Sequence, residues 1–166
     1  MDKIRIKGGI PLKGSIRASG AKNATLPLMA ACILAGEPCT LHNVPRLADV
    51  DSMKNLLASM GVEVEFIDHG MTLDAAAMAS HEAHYDLVRK MRASFFVLGP
   101  LVGRFGRARV SLPGGCAIGT RPVDIHLKGL EALGAEVRVE AGYIETAAEQ
   151  LVGARIVLEV ERVEQA

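Results

Sequence analysis

The feature that most limits what this chain can fold into is an internal repeat. Val50-Asp51 and Val123-Asp124 open two amphipathic stretches, and Met60-Gly61 and Leu133-Gly134 close them. Val62–Glu65 and Ala135–Arg138 then alternate apolar and polar residues, and each run is followed by a turn at Gly70 or Gly142. Each unit reads helix, strand, loop, helix, strand, strand. A period sustained through stops and turns is the mark of a duplicated supersecondary unit. Strands alternating with helices call for an α/β fold in which the units share a core. No linker rich in Pro, Ser or Gly divides the two units, so they read as subdomains, roughly 22–90 and 91–160.

The elements follow from hydrophobic period. Alternation predicts strands over 3–7 and 13–18, with Gly8-Gly9 and Pro11 between them. An apolar helix runs from about Lys22 to Ala35, with Pro27 near its start and Gly36-Glu37-Pro38 as its stop. A strand over Thr40–Val44 precedes a helix capped by Asp49, carrying Val50, Met53, Leu56, Leu57 and Met60 on one face. Asp68-His69-Gly70 turns strand 62–66 into a partner at 71–74. A long helix is predicted from Asp86, with Leu87, Met91, Phe95 and Leu98 on one side, a kink at Pro100 and an end at Gly103 or Gly106. Arg107–Leu112 is a strand, and Val123, Leu127, Leu130 and Leu133 line the next helix. Strands at 137–139, 143–146 and 154–160 complete the chain.

Composition serves mainly to exclude. Lys plus Arg and Asp plus Glu both total 19, and aromatic residues make up 4% with no Trp. A balanced charge gives no electrostatic pull towards nucleic acid, and few aromatics leave little to stack bases on. The longest apolar run, Leu26–Ala35, is well short of the ~20 residues a membrane span needs. The first residues carry no apolar core of a signal peptide. Three cysteines, Cys32, Cys39 and Cys116, give neither a metal spacing nor a disulfide framework, so a cytoplasmic protein without metal is expected.

Chemistry is concentrated in a few places. Ser111–His126 holds Pro113, two glycines and Cys116 in a stretch that regular structure cannot absorb. A thiol beside Arg121 and a helix N-terminus could react as thiolate, or near its ordinary pKa could donate a proton. Spacing leaves both these roles and an incidental turn cysteine open. Lys22-Asn23 opens a helix, where a lysine meets the positive end of the dipole unless an anion sits there. A plain exposed lysine is the other reading. Arg92 shares a helix face with Val88, Phe95 and Gly99 at i, i+4, i+7 and i+11, which puts a permanent cation beside an apolar stripe. Arg121-Pro122-Val123-Asp124 starts a helix with Pro in the first turn, and Asp124 there makes it a poorer phosphate site than the helix at Lys22.

Five blocks together carry a resemblance. They are Ser19-Gly20-Ala21-Lys22-Asn23-Ala24; Asn43-Val44-Pro45; Asp86-Leu87-Val88-Arg89-Lys90-Met91-Arg92-Ala93-Ser94; Leu98-Gly99-Pro100-Leu101; and Leu112-Pro113-Gly114-Gly115-Cys116-Ala117-Ile118-Gly119-Thr120-Arg121-Pro122-Val123-Asp124. In this order they resemble the UDP-N-acetylglucosamine 1-carboxyvinyltransferases, the enolpyruvyl transferases of peptidoglycan synthesis. The resemblance implies an inside-out α/β domain built of such repeats. It implies that Lys22 and Asn23 meet phosphoenolpyruvate. Arg92, Arg121, Pro122, Val123, Asp124 and Ile125 would bind UDP-N-acetylglucosamine, mainly around its uridine. Cys116 would give a proton to C3 of phosphoenolpyruvate while the sugar 3′-hydroxyl adds at C2, and would be the residue that fosfomycin alkylates. No metal or organic cofactor is implied, nor any nucleic-acid or membrane partner.

Two departures shape the expectation for this chain. The relatives are more than twice as long, so residues 1–21 would belong to a second domain and 22–166 would form an incomplete first one. The end, Val160-Glu161-Arg162-Val163-Glu164-Gln165-Ala166, puts two glutamates where the family has a loop beside the pyrophosphate. The chain alone is therefore expected to hold one wall of a cleft. The alternative is a truncated, non-catalytic module that binds a nucleotide or a partner.

Overall fold

A computed structural model describes residues 3–9, 11–89, 91–112 and 123–157. The first unit is built from α1 (Lys22–Ala31), β1 (Cys39–Leu41), α2 (Ala48–Ser59), β2 (Glu63–Ile67) and β3 (Gly70–Asp74), with a short 3₁₀ turn over Cys32–Leu34. Then come β4 (Glu82–Ala83), α3 (Tyr85–Val88), a 3₁₀ helix over Arg92–Val97, and α4 (Leu98–Phe105). The second unit closes with β5 (Arg107–Ser111), α5 (Asp124–Ala132), β6 (Glu136–Glu140) and β7 (Tyr143–Ala147).

The repeat read from the sequence is a repeat of topology. One sheet runs β1-β3-β2 and the other β4-β5-β7-β6, so β1, β2 and β3 correspond to β5, β6 and β7. The shared pairings are antiparallel in both, and β4 adds a parallel edge to β5. Local geometry repeats as well. Gly61 and Gly134 both take φ +95° just past the ends of α2 and α5. Behind them Val62 and Ala135 donate their N–H groups to the Leu57 and Leu130 carbonyls, at 3.1 and 3.0 Å. This left-handed stop needs glycine because a Cβ would be strained there. Both hairpins turn on two residues of positive φ, Asp68 and His69 in the first and Ala141 and Gly142 in the second. That handedness matches the twist of the strands it joins.

The apolar faces meet in one core. Met29, Val50, Met53, Leu56, Leu57, Met71, Leu101, Val110 and Ile144 are all fully buried. Helices α1, α2 and the 92–97 helix pack on one another, while each sheet keeps one face to solvent. Glu63, Glu65, Glu136 and Glu140 all lie on exposed positions. Each fully buried leucine contributes about 2 kcal/mol by the area it removes from water.

Several expectations fail for identifiable reasons. Residues 3–7 and 13–18 are not strands, because nothing among the described residues pairs with them. Ile4, Ile6, Leu12 and Ile16 stay 86–97% exposed. Alternation gave the segments a face to bury, but a strand also needs a neighbour. Residues 154–157 likewise form no strand. Asp49 does not cap α2: Leu47 precedes the helix, and Asp49 lies within its first turn. The long helix from Asp86 is three pieces. Met91 turns extended, at φ −148° and ψ 127°, and the α-helix restarts only at Leu98. Restarting there puts Pro100 in the first turn of α4, where its missing N–H costs nothing. With the helix broken, Val88, Arg92, Phe95 and Gly99 do not form one helical stripe. Gly106, at φ +68°, ends α4.

Arg104 ties the units together. Its guanidinium donates to the carbonyls of Ile33 at 2.8 Å, Ala35 at 3.3 Å and Ala75 at 2.7 Å. These acceptors lie at the end of the 32–34 turn and just after β3, so a single planar group closes three otherwise open backbone positions.

Candidate functional site

Two of the blocks singled out in the sequence are pressed against each other. Gly20 lies so close to the chain after β1 that a Cβ built on it would sit 1.7 Å from the Asn43 carbonyl oxygen. No side chain fits that gap. Asn43 itself takes φ +57°. His69 then fixes the next residue from both directions: its carbonyl accepts from the Val44 N–H at 2.8 Å, and its Nδ1 donates to the Val44 carbonyl at 2.9 Å. The donated bond assigns the proton to Nδ1 and offsets the strain of a histidine at φ +95°.

This contact sets the entry to α1. The helix has no side-chain cap at Ala21 and no acidic residue in its first turn. Lys22 and Asn23 are its first two residues, both exposed. The Lys22 ammonium pairs with the Asp49 carboxylate at 2.8 Å, both about half exposed. Two helix N-termini, α1 and α2, are thereby joined through a lysine and an aspartate. An anion arriving at Lys22 gains the dipole of α1 but has to compete with Asp49. The sequence reading missed this partner because it took Asp49 as a cap for its own helix. An open cleft of about 640 Å³ runs beside the junction, lined by Arg17, Ser19, His42, Asn43, Asp68 and His69.

A second group forms where α5 meets the 92–97 helix. Val123 is the residue before α5, half-buried against the core, and Asp124 opens the helix as an exposed acid in the first turn. Ile125 is 41% exposed. It lines a mainly apolar cleft of about 490 Å³ with Phe95, Phe96, His126, Leu130 and Ile156. His126 meets both phenylalanines edge-on, with ring centroids 5.6 and 6.3 Å away. Arg92 begins the 3₁₀ helix that carries these two aromatic residues, and that helix packs on α1. The sequence reading gave Phe95 only a place on a predicted helical stripe and gave Phe96 and His126 no role; the adjacent phenylalanines were the signal it could have used. Cys116, Arg121 and Pro122 lie outside the described residues.

The other two cysteines are described. Cys32 is buried, and its thiol donates to the Leu28 carbonyl at 3.2 Å. Burial first, and then the neighbouring Cys39, push the Cys32 thiol from 9.0 up to about 12. The sign follows from linkage. An unfolded chain releases this proton near pH 9 and the folded chain holds it, so the stabilisation is complete below pH 9 and is lost as pH rises towards 12. We expect denaturant unfolding to show a Cys32 contribution that falls by up to about 1.4 kcal/mol per pH unit in this window. Cys32→Ser keeps a donor to Leu28 but does not titrate. It should unfold with a shallower pH dependence, and equal slopes for the two proteins would refute the assignment.

Among the described residues no group of three or more His, Cys, Asp or Glu side chains could hold a metal ion. No helix among them is long and apolar enough to cross a membrane.

Comparison with known proteins fits this geometry. Residues 6–164 match the family described as EPSP synthase (3-phosphoshikimate 1-carboxyvinyltransferase). A UDP-N-acetylglucosamine 1-carboxyvinyltransferase from Rhodospirillum centenum is 58% identical over an alignment of 154 residues and covers 87% of this chain and 36% of the relative. One from Trichlorobacter lovleyi is 55% identical over 164 residues, 98% of this chain and 39% of the relative. The chain thus spans somewhat more than a third of the length of these curated relatives. Among solved structures, the enolpyruvyl transferase NikO from Streptomyces tendae superposes with a TM-score of 0.74 at 27% identity, over 87% of this chain and 32% of that one. EPSP synthase from Acinetobacter baumannii shares the fold, with a TM-score of 0.60 at 16% identity over 84% of this chain and 33% of that one. With residues 6–164 matched, the chain belongs to the EPSP synthase family of enolpyruvyl (carboxyvinyl) transferases.

Proposed function

We propose that this chain forms one wall of a site that transfers the enolpyruvyl group of phosphoenolpyruvate to the 3′-hydroxyl of UDP-N-acetylglucosamine, with release of phosphate, in peptidoglycan synthesis. The observation that carries this reading is the seating of Ser19–Asn23 on Asn43–Pro45. It holds Lys22 at an uncapped helix N-terminus where an anionic group gains both a cation and a dipole. The identity of 52–58% to four carboxyvinyltransferases named for UDP-N-acetylglucosamine supports the choice of acceptor.

The roles are those that the family resemblance implies. Lys22 and Asn23 hold phosphoenolpyruvate. Arg92, Arg121, Pro122, Val123, Asp124 and Ile125 hold the nucleotide, with the apolar cleft beside Ile125 taking a flat ring. Cys116 gives its proton to C3 as the sugar hydroxyl oxygen bonds to C2. Phosphate then leaves the tetrahedral adduct and the vinyl ether forms. The base for the hydroxyl proton and further phosphate ligands are assigned to the length of the relatives that this chain does not span. Residues 1–21, with their exposed isoleucines, are assigned to a second domain in the same way.

Calorimetric titration tests the binding half of this reading. The 166-residue chain should bind UDP-N-acetylglucosamine saturably and release no phosphate from phosphoenolpyruvate. Arg121→Ala should weaken binding about tenfold or more, close to 1.4 kcal/mol. Fosfomycin should add to Cys116 and spare Cys32 and Cys39. Equal affinity for the nucleotide in Arg121→Ala, or alkylation of Cys32 ahead of Cys116, would remove the assignment.

A further inference from the structure

Residues 3–7 alternate like a strand yet have no neighbour in the fold. The arm that carries them stands clear of both sheets. Ile4, Ile6, Leu12 and Ile16 are 86–97% exposed, and nothing lies within 4 Å of a Cβ built on Gly8, Gly9 or Gly14. Along Lys3-Ile4-Arg5-Ile6-Lys7 an extended backbone puts three cations on one face and two isoleucines on the other. The segment lacks only an edge to join.

The edges of the two sheets suit it unequally. β1 and β4 are three and two residues long, too short to hold it. β6 carries Arg138 at its centre, where it would meet Arg5, and Arg138 already leans on Glu136 at 3.6 Å. β2 is the outer strand of the β1-β3-β2 sheet and is five residues long, like the arm segment. Glu63 and Glu65 are exposed on its solvent face, and neither forms an ion pair among the described residues. Val64 and Phe66 are only half-buried on the other face. Laid antiparallel along this edge, residues 3–7 set Arg5 beside Glu65, Lys7 beside Glu63, Ile4 beside Phe66 and Ile6 beside Val64. Opposite charges and apolar pairs then coincide, and the open backbone groups of the edge gain partners.

We infer that the free edge of β2 takes residues 3–7 of a second copy of this chain, and that two copies exchange arms to form a dimer. The arm of the same copy fits less well. Arg17 lines the cleft beside Asp68, at the end of β2, so the segment next to β2 within one copy is 13–17. That segment has Gly14 in its middle and a single large apolar side chain, Ile16. Lys7 stands ten positions beyond Arg17 (17 minus 7), a reach of up to ~33 Å against the ~17 Å of β2. This reach carries residues 3–7 to a neighbouring molecule, as an added strand. Reciprocal exchange makes the contact self-complementary, and association stops at two copies. In longer chains these residues are assigned to a second domain; the dimer is a property of the 166-residue chain. It is independent of the roles proposed for Lys22 and Cys116.

Sedimentation velocity of the 166-residue chain tests this. The parent should sediment as a dimer at about 50 mM salt and shift towards monomer at about 0.5 M, where the edge ion pairs are screened. Lys3→Glu/Arg5→Glu/Lys7→Glu and Glu63→Lys/Glu65→Lys should each raise the dissociation constant at least tenfold, because each sets like charges side by side. All five changes in one chain should restore the dimer, since every pair is again opposite in sign. Three results would overturn the inference. One is a parent that stays monomeric at its highest soluble concentration. Another is a dimer that persists unchanged in both charge variants. The third is a monomeric five-change variant whose circular dichroism spectrum matches the parent.

Discussion

Gly20→Ala should be among the most damaging single-methyl additions this chain can receive. The added carbon would lie 1.7 Å from the Asn43 carbonyl oxygen and 2.9 Å from its carbon, both backbone atoms that no rotamer change can move aside. Relief requires the Ser19–Lys22 segment or the chain after β1 to shift. Either shift strains the His69–Val44 bonds and the Lys22–Asp49 pair. Overpacking of flexible cores costs about 1–3 kcal/mol, and a clash between two backbones lies at or above that range. Thermal unfolding should show a fall of roughly 6–12 °C for a chain of this size. Gly36→Ala is the control: nothing lies within 4 Å of its Cβ position, and its change should stay within about 0.5 kcal/mol. Similar melting of the two variants would show that the Gly20 contact is dispensable. Binding of phosphoenolpyruvate should weaken in Gly20→Ala even below its melting temperature, because Lys22, proposed to hold it, rides on the displaced segment.

Arg104→Met should cost about 3 kcal/mol. The thioether replaces the bulk of the arginine stem, so the loss isolates the three hydrogen bonds to Ile33, Ala35 and Ala75. Charged donors to part-buried carbonyls contribute about 1.5–3 kcal/mol each before water replaces some of them. Arg104→Lys keeps the charge but not the planar fork and should fall between the two. Urea unfolding of the three proteins gives the ranking, and a methionine variant as stable as the parent would mean that water satisfies all three carbonyls. The prediction concerns the join between units, since Arg104 reaches from α4 back to the end of the first helix.

The sequence made the repeat legible because its signals are local. A glycine after an apolar helical face, followed by alternation and a two-residue turn, has few other solutions. Gly61 and Gly134 therefore fall where period and stop residue put them. Failures occur where the outcome depends on distant chain. Ile4 and Ile6 alternate like a strand, but no local rule supplies a partner. The helix from Asp86 has a continuous apolar pattern, yet the chain turns extended at Met91 and the α-helix restarts only at Leu98, so Arg92 opens a 3₁₀ helix instead of sitting within a long α-helical face. The site divides in the same way. Lys22 and Asn23 stand at a helix start, as their spacing implied. Asp49 as the partner of Lys22, and Phe95, Phe96 and His126 around Ile125, depend on long-range packing that no window of sequence contains.

The close match of the two units bears on the stretch that holds Cys116. After β1, Val44 donates to the carbonyl of the first hairpin, at His69; after β5, Leu112 donates to the equivalent carbonyl of the second, at Gly142. A proline follows each, Pro45 or Pro113. From there the first unit reaches α2 with only Pro45, Arg46 and Leu47, whereas the second takes Pro113 to Val123 before α5 begins. From strand end to helix start, the same pair of elements is thus joined by residues 42–47 in the first unit and by twice that length, 112–123, in the second. The extra length between β5 and α5 answers no demand of the architecture. Its sequence is therefore left to the chemistry proposed for Cys116 and Arg121, while the register of both sheets is set by the strands themselves.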